Sequence, residues 1–171
     1  MNIHTEAIHP MASTPSEAVP DTGIGDHFKV AAALRKVLAD TYVLTVKTHG
    51  CHWNIVGPLF YSVHNLTEEQ YNDMFQACDV LAERMRALGV IAPMSMSEML
   101  EEKSIKDTVG TLSASTLVAD LVASHEELAR KFKEIVALAS DAADPVSEDL
   151  AVARSAFHEK AAWMLRSILA A

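Results

Sequence analysis

The chain has 171 residues, half of them hydrophobic, and its formal net charge is −9. These values fit one domain with a sizeable core, and the negative charge disfavours general affinity for DNA or anionic membranes. No apolar run approaches the roughly 18 residues of a membrane span, and the N terminus lacks the pattern of a secretory signal. The two cysteines, Cys51 and Cys78, form no CxxC pair, so we expect a reducing, cytoplasmic setting.

The first part of the chain differs in composition from the rest. Residues 1–24 contain three prolines, several Ser and Thr residues and no apolar periodicity, which predicts a flexible tail. Residues 25–171 are predicted to form the folded domain. The tail carries no Lys or Arg, since the first such residue in the chain is Lys29.

Two long helices are predicted in the first half of the domain. Apolar and small residues recur at steps of three and four from about residue 26, which predicts a helix that ends near residue 54, before Gly57. A second helix is predicted over residues 59–88. Gly89 is a suitable C-terminal cap for it, and Pro93 follows shortly afterwards.

The second half predicts one short and two long helices. The short helix covers residues 95–102, inside a long connection. Ser113 or Ser115 can cap a third long helix that ends near residue 140, and Asp144 with Pro145 begins a fourth that ends near residue 169. The pattern contains no convincing strand. It predicts an all-α four-helix bundle with a short extra helix between helices two and three, where ferritin-like bundles carry their long crossover.

Four side chains of types that can bind metals share one stripe of the second helix. His64 and Glu68 form one i,i+4 pair and Asp79 and Glu83 form another, about 22 Å further along the axis, so one straight helix cannot bring both pairs to one ion. Two antiparallel copies about a two-fold axis would bring the first pair of one chain to the second pair of the other. This arrangement gives two identical sites per dimer.

The first helix adds a fifth candidate ligand, His52, just before the turn into the second helix. Imidazole and carboxylate together suit iron, manganese or zinc, and carboxylates able to bridge favour a di-iron centre. The usual intrachain Glu-x-x-His pattern of ferritin-like sites is absent, because neither His125 nor His158 has a Glu three residues before it. Tyr71 and Phe75, between the two ligand pairs, are predicted at the apolar centre of the interface.

The segments HWNIVGPLFYSVHNLTEEQY, DVLAERMRALG and EKAAWMLRSIL resemble the Dps family (DNA-binding protein from starved cells). The resemblance implies a dodecameric shell of ferritin-like subunits. It also implies ferroxidase centres at two-fold interfaces, with two irons per site, that oxidise Fe(II) and usually prefer hydrogen peroxide to oxygen. The ferric product would be stored inside as mineral.

The resemblance also assigns residues by position. His52 and His64 correspond to ligands from one subunit, and Asp79 and Glu83 to ligands from its neighbour. Glu68 stands where the best-known members have Asp, so it stays open whether it binds metal directly or through water.

Residues beside these positions allow two interpretations each. Trp53 resembles a family tryptophan that intercepts reactive species, although it can also fill the core. His49 lies one turn before His52 and is either a supporting or additional ligand, or a donor to a helix carbonyl. Cys51 and Cys78 each precede a candidate ligand, but neighbouring helix residues point about 100° apart, which favours packed and inert thiols.

Four acidic residues surround the start of the last helix. The resemblance implies that at least one of them lines a three-fold pore that admits Fe(II). The alternative is a solvated helix start, with one of them as the cap. The four residues are Asp141, Asp144, Glu148 and Asp149.

Two other functions compete with the ferroxidase. One is a nucleoid-associated protein that protects DNA by binding it, but family members that do so generally use tails rich in Lys and Arg. The absence of such residues before Lys29 and the net negative charge therefore predict no direct DNA binding. The other is a catalytically weak shell that buffers zinc or manganese, which the Glu at position 68 leaves open.

Overall fold

The computed structural model of the protein describes residues 19–108, 110 and 112–170. This part of the chain contains five helices and no strand. The bundle formed by its four long helices, with a short helix in the connection that crosses from the second to the third, confirms the predicted architecture. The helices are α1 His27–Asn54, α2 Phe60–Ala87, α3 Met96–Glu102, α4 Ala114–Asp141 and α5 Pro145–Leu169.

The helices begin and end where local chemistry predicts. The Ser113 hydroxyl accepts a hydrogen bond from the N–H of Thr116 (3.2 Å), and Asp144 caps α5 by accepting from the N–H of Ser147 (3.0 Å). At the end of α2, Gly89 takes a φ of +83°, a conformation that costs glycine little. The predicted boundaries therefore agree with the structure to within about two residues.

The core lies between the four long helices. Aliphatic side chains from α1 and α2 meet those from α4, and Phe132 is the largest of the fully buried side chains. Fully buried members include Leu34, Leu38, Leu44, Met74, Leu81, Leu121 and Leu128. Burial of this apolar area is the main force that holds the helices side by side.

Buried charges attach the long connection between α2 and α4 to the bundle. Asp40, which is 0% exposed, accepts hydrogen bonds from the N–H groups of Ser104 (2.7 Å) and Ile105 (2.9 Å) and pairs with Lys131. Lys47 donates to the carbonyl of Lys106 in the same connection (2.9 Å). Because α1 and α4 are cross-linked at two levels, their antiparallel register is fixed.

The segment before α1 lies against the bundle where the structure describes it. The N–H of Gly25 donates to the carbonyl of Ala142 (2.9 Å), and the side chain of Val19 approaches Gly89. Residues 1–18, most of the predicted tail, lie outside the described residues, so the boundary after residue 24 stays a prediction. No helix within the described part of the chain is both long and apolar enough to span a membrane.

Candidate metal centre

Two histidines meet where α1 passes into α2. The ring of His52 donates from Nδ1 to the carbonyl of His64 (2.9 Å), and the ring of His64 donates from Nδ1 to the carbonyl of His52 (2.9 Å). The rings stack with centroids 3.7 Å apart and planes at 19°. Because a carbonyl only accepts, both Nδ1 atoms carry a proton, so the neutral form of each ring has its lone pair on Nε2. The chain thus holds two adjacent imidazoles in the tautomer that binds metals.

The turn between the helices makes this exchange of hydrogen bonds possible. The carbonyl of His52 belongs to the last turn of α1, where backbone carbonyls have no partner within the helix. Five residues, among them Gly57 with a φ of +87°, then reverse the chain and bring the first turns of α2 alongside. The turn is therefore closed partly by the two candidate ligands themselves.

Aromatic rings surround the pair on one side. His49 stacks on Tyr71 at 4.2 Å between centroids and lies 3.9 Å from the ring of Trp53. Tyr71 in turn meets His52 edge-on at 5.3 Å. The ring of His49 is 6.1 Å from that of His52, so it lies beside the pair rather than within it. Trp53 is 65% exposed, which excludes the core-filling interpretation within one subunit.

The candidate carboxylates lie on the exposed face of α2. Glu68 follows His64 by one turn, while Asp79 and Glu83 lie four turns or more along the same helix. Among the described residues, no three His, Cys, Asp or Glu side chains of one chain come close enough to hold a metal ion. One subunit therefore brings two ligands together and leaves the carboxylates elsewhere.

Large apolar side chains are exposed along α2, and Phe75 lies between the two pairs of candidate ligands. Phe75 is 62% exposed, Tyr61 is 79% exposed and Val80 is 48% exposed. Tyr71, predicted at the same interface, is half-buried beneath His49. Large apolar side chains at such exposure are typical of a surface that another protein covers.

Comparison with known proteins decides the family. Residues 31–171 match the family model named Ferritin, described as a ferritin-like domain. The DNA protection during starvation protein of Brevibacillus brevis is 36% identical over 82% of this chain and 94% of its own length. The chain belongs to the Dps family of ferritin-like proteins. A low-temperature-induced protein of Nostoc is 40% identical over 80% of the Dps chain described here and 77% of its own length.

Solved structures agree with this assignment. The crystal structure of Dps from Staphylococcus aureus superposes with a TM-score of 0.82 at 30% identity, over 86% of this chain and 99% of that one. Because the match spans nearly the whole of the other subunit, the helices of this Dps chain and the connection between α2 and α4 follow the same architecture.

The four acidic residues near the start of α5 do not share one environment in this Dps chain. Asp144 is 0% exposed, and besides capping α5 it pairs with the guanidinium of Arg84 (2.6 Å). Burial raises the pKa of Asp144, but the hydrogen bonds from Arg84 and Ser147 outweigh it and hold the pKa below its ordinary value. Asp141 and Asp149 are exposed, and Glu148 is half-buried in the first turn of the helix. The capping role predicted for Asp144 is confirmed, and the pore role stays a prediction for the group.

Neither cysteine has the properties of a metal ligand or a redox sensor. Both are buried and free. Burial raises the pKa of Cys51 to about 11 and that of Cys78 to about 12. Since the thiolate is the reactive and metal-binding form, both thiols are inert near neutral pH, as the sequence favoured.

Sequence reasoning missed a second histidine pair, inside the bundle. His125 on α4 and His158 on α5 are both 0% exposed, and their Nδ1 atoms are 2.9 Å apart. Burial lowers the pKa of His125 to about 3, helped by the charges of Arg154 and Lys47, and burial also lowers that of His158. Both rings are therefore neutral. The sequence signal that could have revealed this pair is that each histidine lies on the apolar stripe of its helix.

Proposed function

We propose that this Dps chain assembles into a dodecameric shell that oxidises Fe(II), preferably with hydrogen peroxide, and stores the ferric product as mineral. Such a shell would protect a cell, in its cytoplasm, against oxidative stress. Iron storage and oxidative protection are the general roles of the family. The observation that supports the proposal is the reciprocal bonding of His52 and His64, which leaves the lone pair of each neutral ring on Nε2, the atom that would bind metal.

The complete site in this proposal needs two subunits. His52, His64 and Glu68 of one chain would face Asp79 and Glu83 of its two-fold partner. The absence of any three-ligand cluster within the described part of one chain supports this division, as does the exposed Phe75 between the two half-sites. An isologous interface then creates two equal sites.

Two Fe(II) ions held by imidazoles and carboxylates are the substrates of the reaction. Each loses one electron, so that 2 Fe²⁺ + H₂O₂ + 2 H⁺ gives 2 Fe³⁺ + 2 H₂O. Because both electrons reach peroxide together, no hydroxyl radical is released. The carboxylates stabilise the extra positive charge of the product, while the protein positions metal rather than supplying an acid or a base.

The reaction itself is tested with the metal-free shell. We would add Fe(II) anaerobically, then stoichiometric peroxide, and follow Fe(III) absorbance against a control with oxygen alone. Fast oxidation with peroxide and slow oxidation with oxygen are expected. Absence of acceleration over protein-free iron would overturn the ferroxidase.

Shared sites are tested by complementation. His52→Ala/His64→Ala chains and Asp79→Asn/Glu83→Gln chains should each be inactive as pure shells of normal size. In randomly mixed shells half of the dimers pair one chain of each kind, and each such dimer keeps one intact site. About a quarter of the wild-type rate should return, because the interface is isologous. If no activity returns in mixed shells of normal size, the site is not shared between subunits.

Glu68 has a matched control in its neighbour, Glu69, which is also exposed. Glu68→Gln should slow iron oxidation, whereas Glu69→Gln should not. Equal rates in the two variants would remove Glu68 from the site.

Direct DNA binding is not part of the proposed function. The formal charge of −9 on each chain repels phosphate, and no Lys or Arg precedes Lys29. A gel-shift assay at low salt, with and without a divalent cation, should show no retarded DNA, and a retarded band would restore the DNA-binding alternative.

A further inference from the structure

Four buried polar side chains, one from each long helix, carry atoms that have no hydrogen-bond partner. Thr48, Gln70, His125 and His158 are each at most 3% exposed. The Thr48 hydroxyl, both amide atoms of Gln70 and Nε2 of both histidines make no hydrogen bond. This set, which we call the polar layer, lies apart from the exposed carboxylates and thus outside the candidate metal centre.

Contacts between neighbouring helices put the polar layer at one level of the bundle. The histidines touch each other directly, which aligns α4 with α5. His49, which follows Thr48, stacks on Tyr71, which follows Gln70, and this contact aligns α1 with α2. Two polar contacts, Lys47 with Ser124 (2.9 Å) and Arg154 with Asp73 (2.6 Å), align the remaining pairs, α1 with α4 and α5 with α2.

Such a layer is not stable if it is empty. A buried polar atom without a partner carries the whole penalty of losing its water, and native interiors contain few such atoms. Here five unpaired atoms lie at one level, and the others among the described residues belong to Arg154 and Asp144. Other buried threonines satisfy their hydroxyls locally. Thr67, for example, donates to the carbonyl of Val63 (2.7 Å). A guest molecule is therefore required to complete the hydrogen bonding.

The hydrogen-bonding inventory of the layer identifies the guest. In the contact between His125 and His158 one Nδ1 donates and the other accepts, so one Nε2 carries a lone pair and the other a proton. Gln70 offers a carbonyl and an amide, and Thr48 a hydroxyl. A cation would be met by acceptors alone and an anion by donors alone. A mixed set matches a neutral molecule that both donates and accepts.

We propose that the polar layer is a sealed site for ordered water at the centre of each subunit. Water needs two to four polar partners and little volume, and the layer supplies donors and acceptors from four helices. Metal sites of ferritin-like bundles are built from facing helices in their core. At this level of the bundle, the present chain binds solvent instead. This inference is independent of the iron chemistry proposed above.

Crystals of the assembled full-length protein, diffracting well enough to show solvent, give the direct test. Density for water is expected within about 3.2 Å of Gln70 and of Nε2 on His125 and His158. Soaking with Zn²⁺ or Mn²⁺ should give no anomalous peak in the layer. An empty layer, direct pairing of these side chains with one another, or a metal peak between them would overturn the proposal.

A second test compares two threonine-to-valine substitutions, for which bound water predicts unequal falls in the unfolding midpoint. Thr48→Val takes a partner from the water and should lower the unfolding midpoint by about 2–4 °C. Thr67→Val is the control, since its hydroxyl is satisfied within its own helix, and it should cause a smaller fall. In a dry layer, Thr48→Val would remove an unpaired polar group and raise the midpoint. A rise, or a fall no larger than that of the control, contradicts bound water.

Discussion

The chain holds two pairs of neighbouring histidines that differ in what binds their Nδ1 atoms. At the α1–α2 turn, His52 and His64 donate to each other's carbonyls and stack 3.7 Å apart, with both lone pairs on Nε2. Inside the bundle, His125 and His158 bond to each other, and their centroids are 5.1 Å apart. The Nδ1 bonds of the first pair leave both Nε2 atoms as acceptors. The second directs its Nε2 atoms away from the shared bond, which suits packing and solvent rather than a metal.

The largest expected effect distinguishes the two pairs, because a substitution in the first should abolish iron oxidation and a substitution in the second should lower stability. His64→Leu should reduce peroxide-dependent iron oxidation to the protein-free rate and cost about 1 kcal/mol of unfolding free energy, through one lost hydrogen bond. His158→Ala should cost about 3 kcal/mol, because it leaves a cavity and an unpaired His125. The rate per folded His158→Ala shell should stay near wild type.

Denaturant unfolding and stopped-flow absorbance on the same preparations make this measurement. The contrast between the pairs fails if His158→Ala loses oxidation as completely as His64→Leu does.

Acid should destabilise the protein through the interior pair, His125 and His158, as the pH falls below 6.5. The folded pKa of His125 is depressed to about 3, so the unfolded chain takes up its proton first as the pH falls. Stability is therefore complete above pH 6.5 and falls by about 1.4 kcal/mol per pH unit below it. His158 acts in the same direction.

Unfolding curves at pH 7, 6 and 5 measure this slope. The His125→Gln/His158→Gln double variant keeps polar side chains but removes the titration, so its stability should change less over the range. Parallel curves for the wild-type protein and the double variant would show that other groups cause the loss.

A smaller effect concerns the ring of His49, which lies beside His52 and His64. His49→Phe keeps the stacking on Tyr71 and Trp53 but removes both ring nitrogens. As a supporting residue, His49 should change the initial rate of iron oxidation by less than about tenfold, below the range typical for residues that orient ligands. His49→Ala, which also removes the ring, shows whether stacking matters. Complete loss of activity in His49→Phe would make His49 a ligand.

The smallest effect compares the turns that connect the helices of each pair. The turn between α1 and α2 uses Gly57 at φ +87°, whereas α4 and α5 are joined through Ala143 at φ +56°. An L-residue in this region is strained by roughly 1 kcal/mol, so Ala143→Gly should be stabilising by somewhat less than that. Gly57→Ala should be destabilising. Chemical denaturation of both variants tests the sign, and destabilisation by Ala143→Gly would show that the turn is unstrained.

The fold was largely predictable because its signals are local. Residue spacing revealed the helices, and Ser113, Asp144 and Gly89 marked three of their ends. The proximity of His52 to His64 also followed from the sequence, since a short turn between antiparallel helices forces it. The reciprocal bonds to the carbonyls did not follow, because they depend on ring orientations that spacing does not determine.

The contact between His125 and His158 could not be predicted from the sequence, for a different reason. His125 and His158 are 33 residues apart on separate helices, and the pattern of each helix shows only that the histidine lies on an apolar stripe. Whether two stripes meet at the same level depends on how the helices are rotated and shifted. That register is fixed by contacts such as Asp40 with Lys131, which no local motif announces.

In the proposed function, the closed turn at His52 and His64 would also affect how easily a bound metal changes oxidation state. Fixing a side chain for binding costs conformational entropy, and here that loss occurs when the chain folds. Each ring is restrained at Nδ1 by a carbonyl of the opposite helix. A metal ion bound at the Nε2 atoms would meet ligands that move little as its charge changes. The site would thus combine preorganisation with a small reorganisation energy, which favours rapid electron transfer.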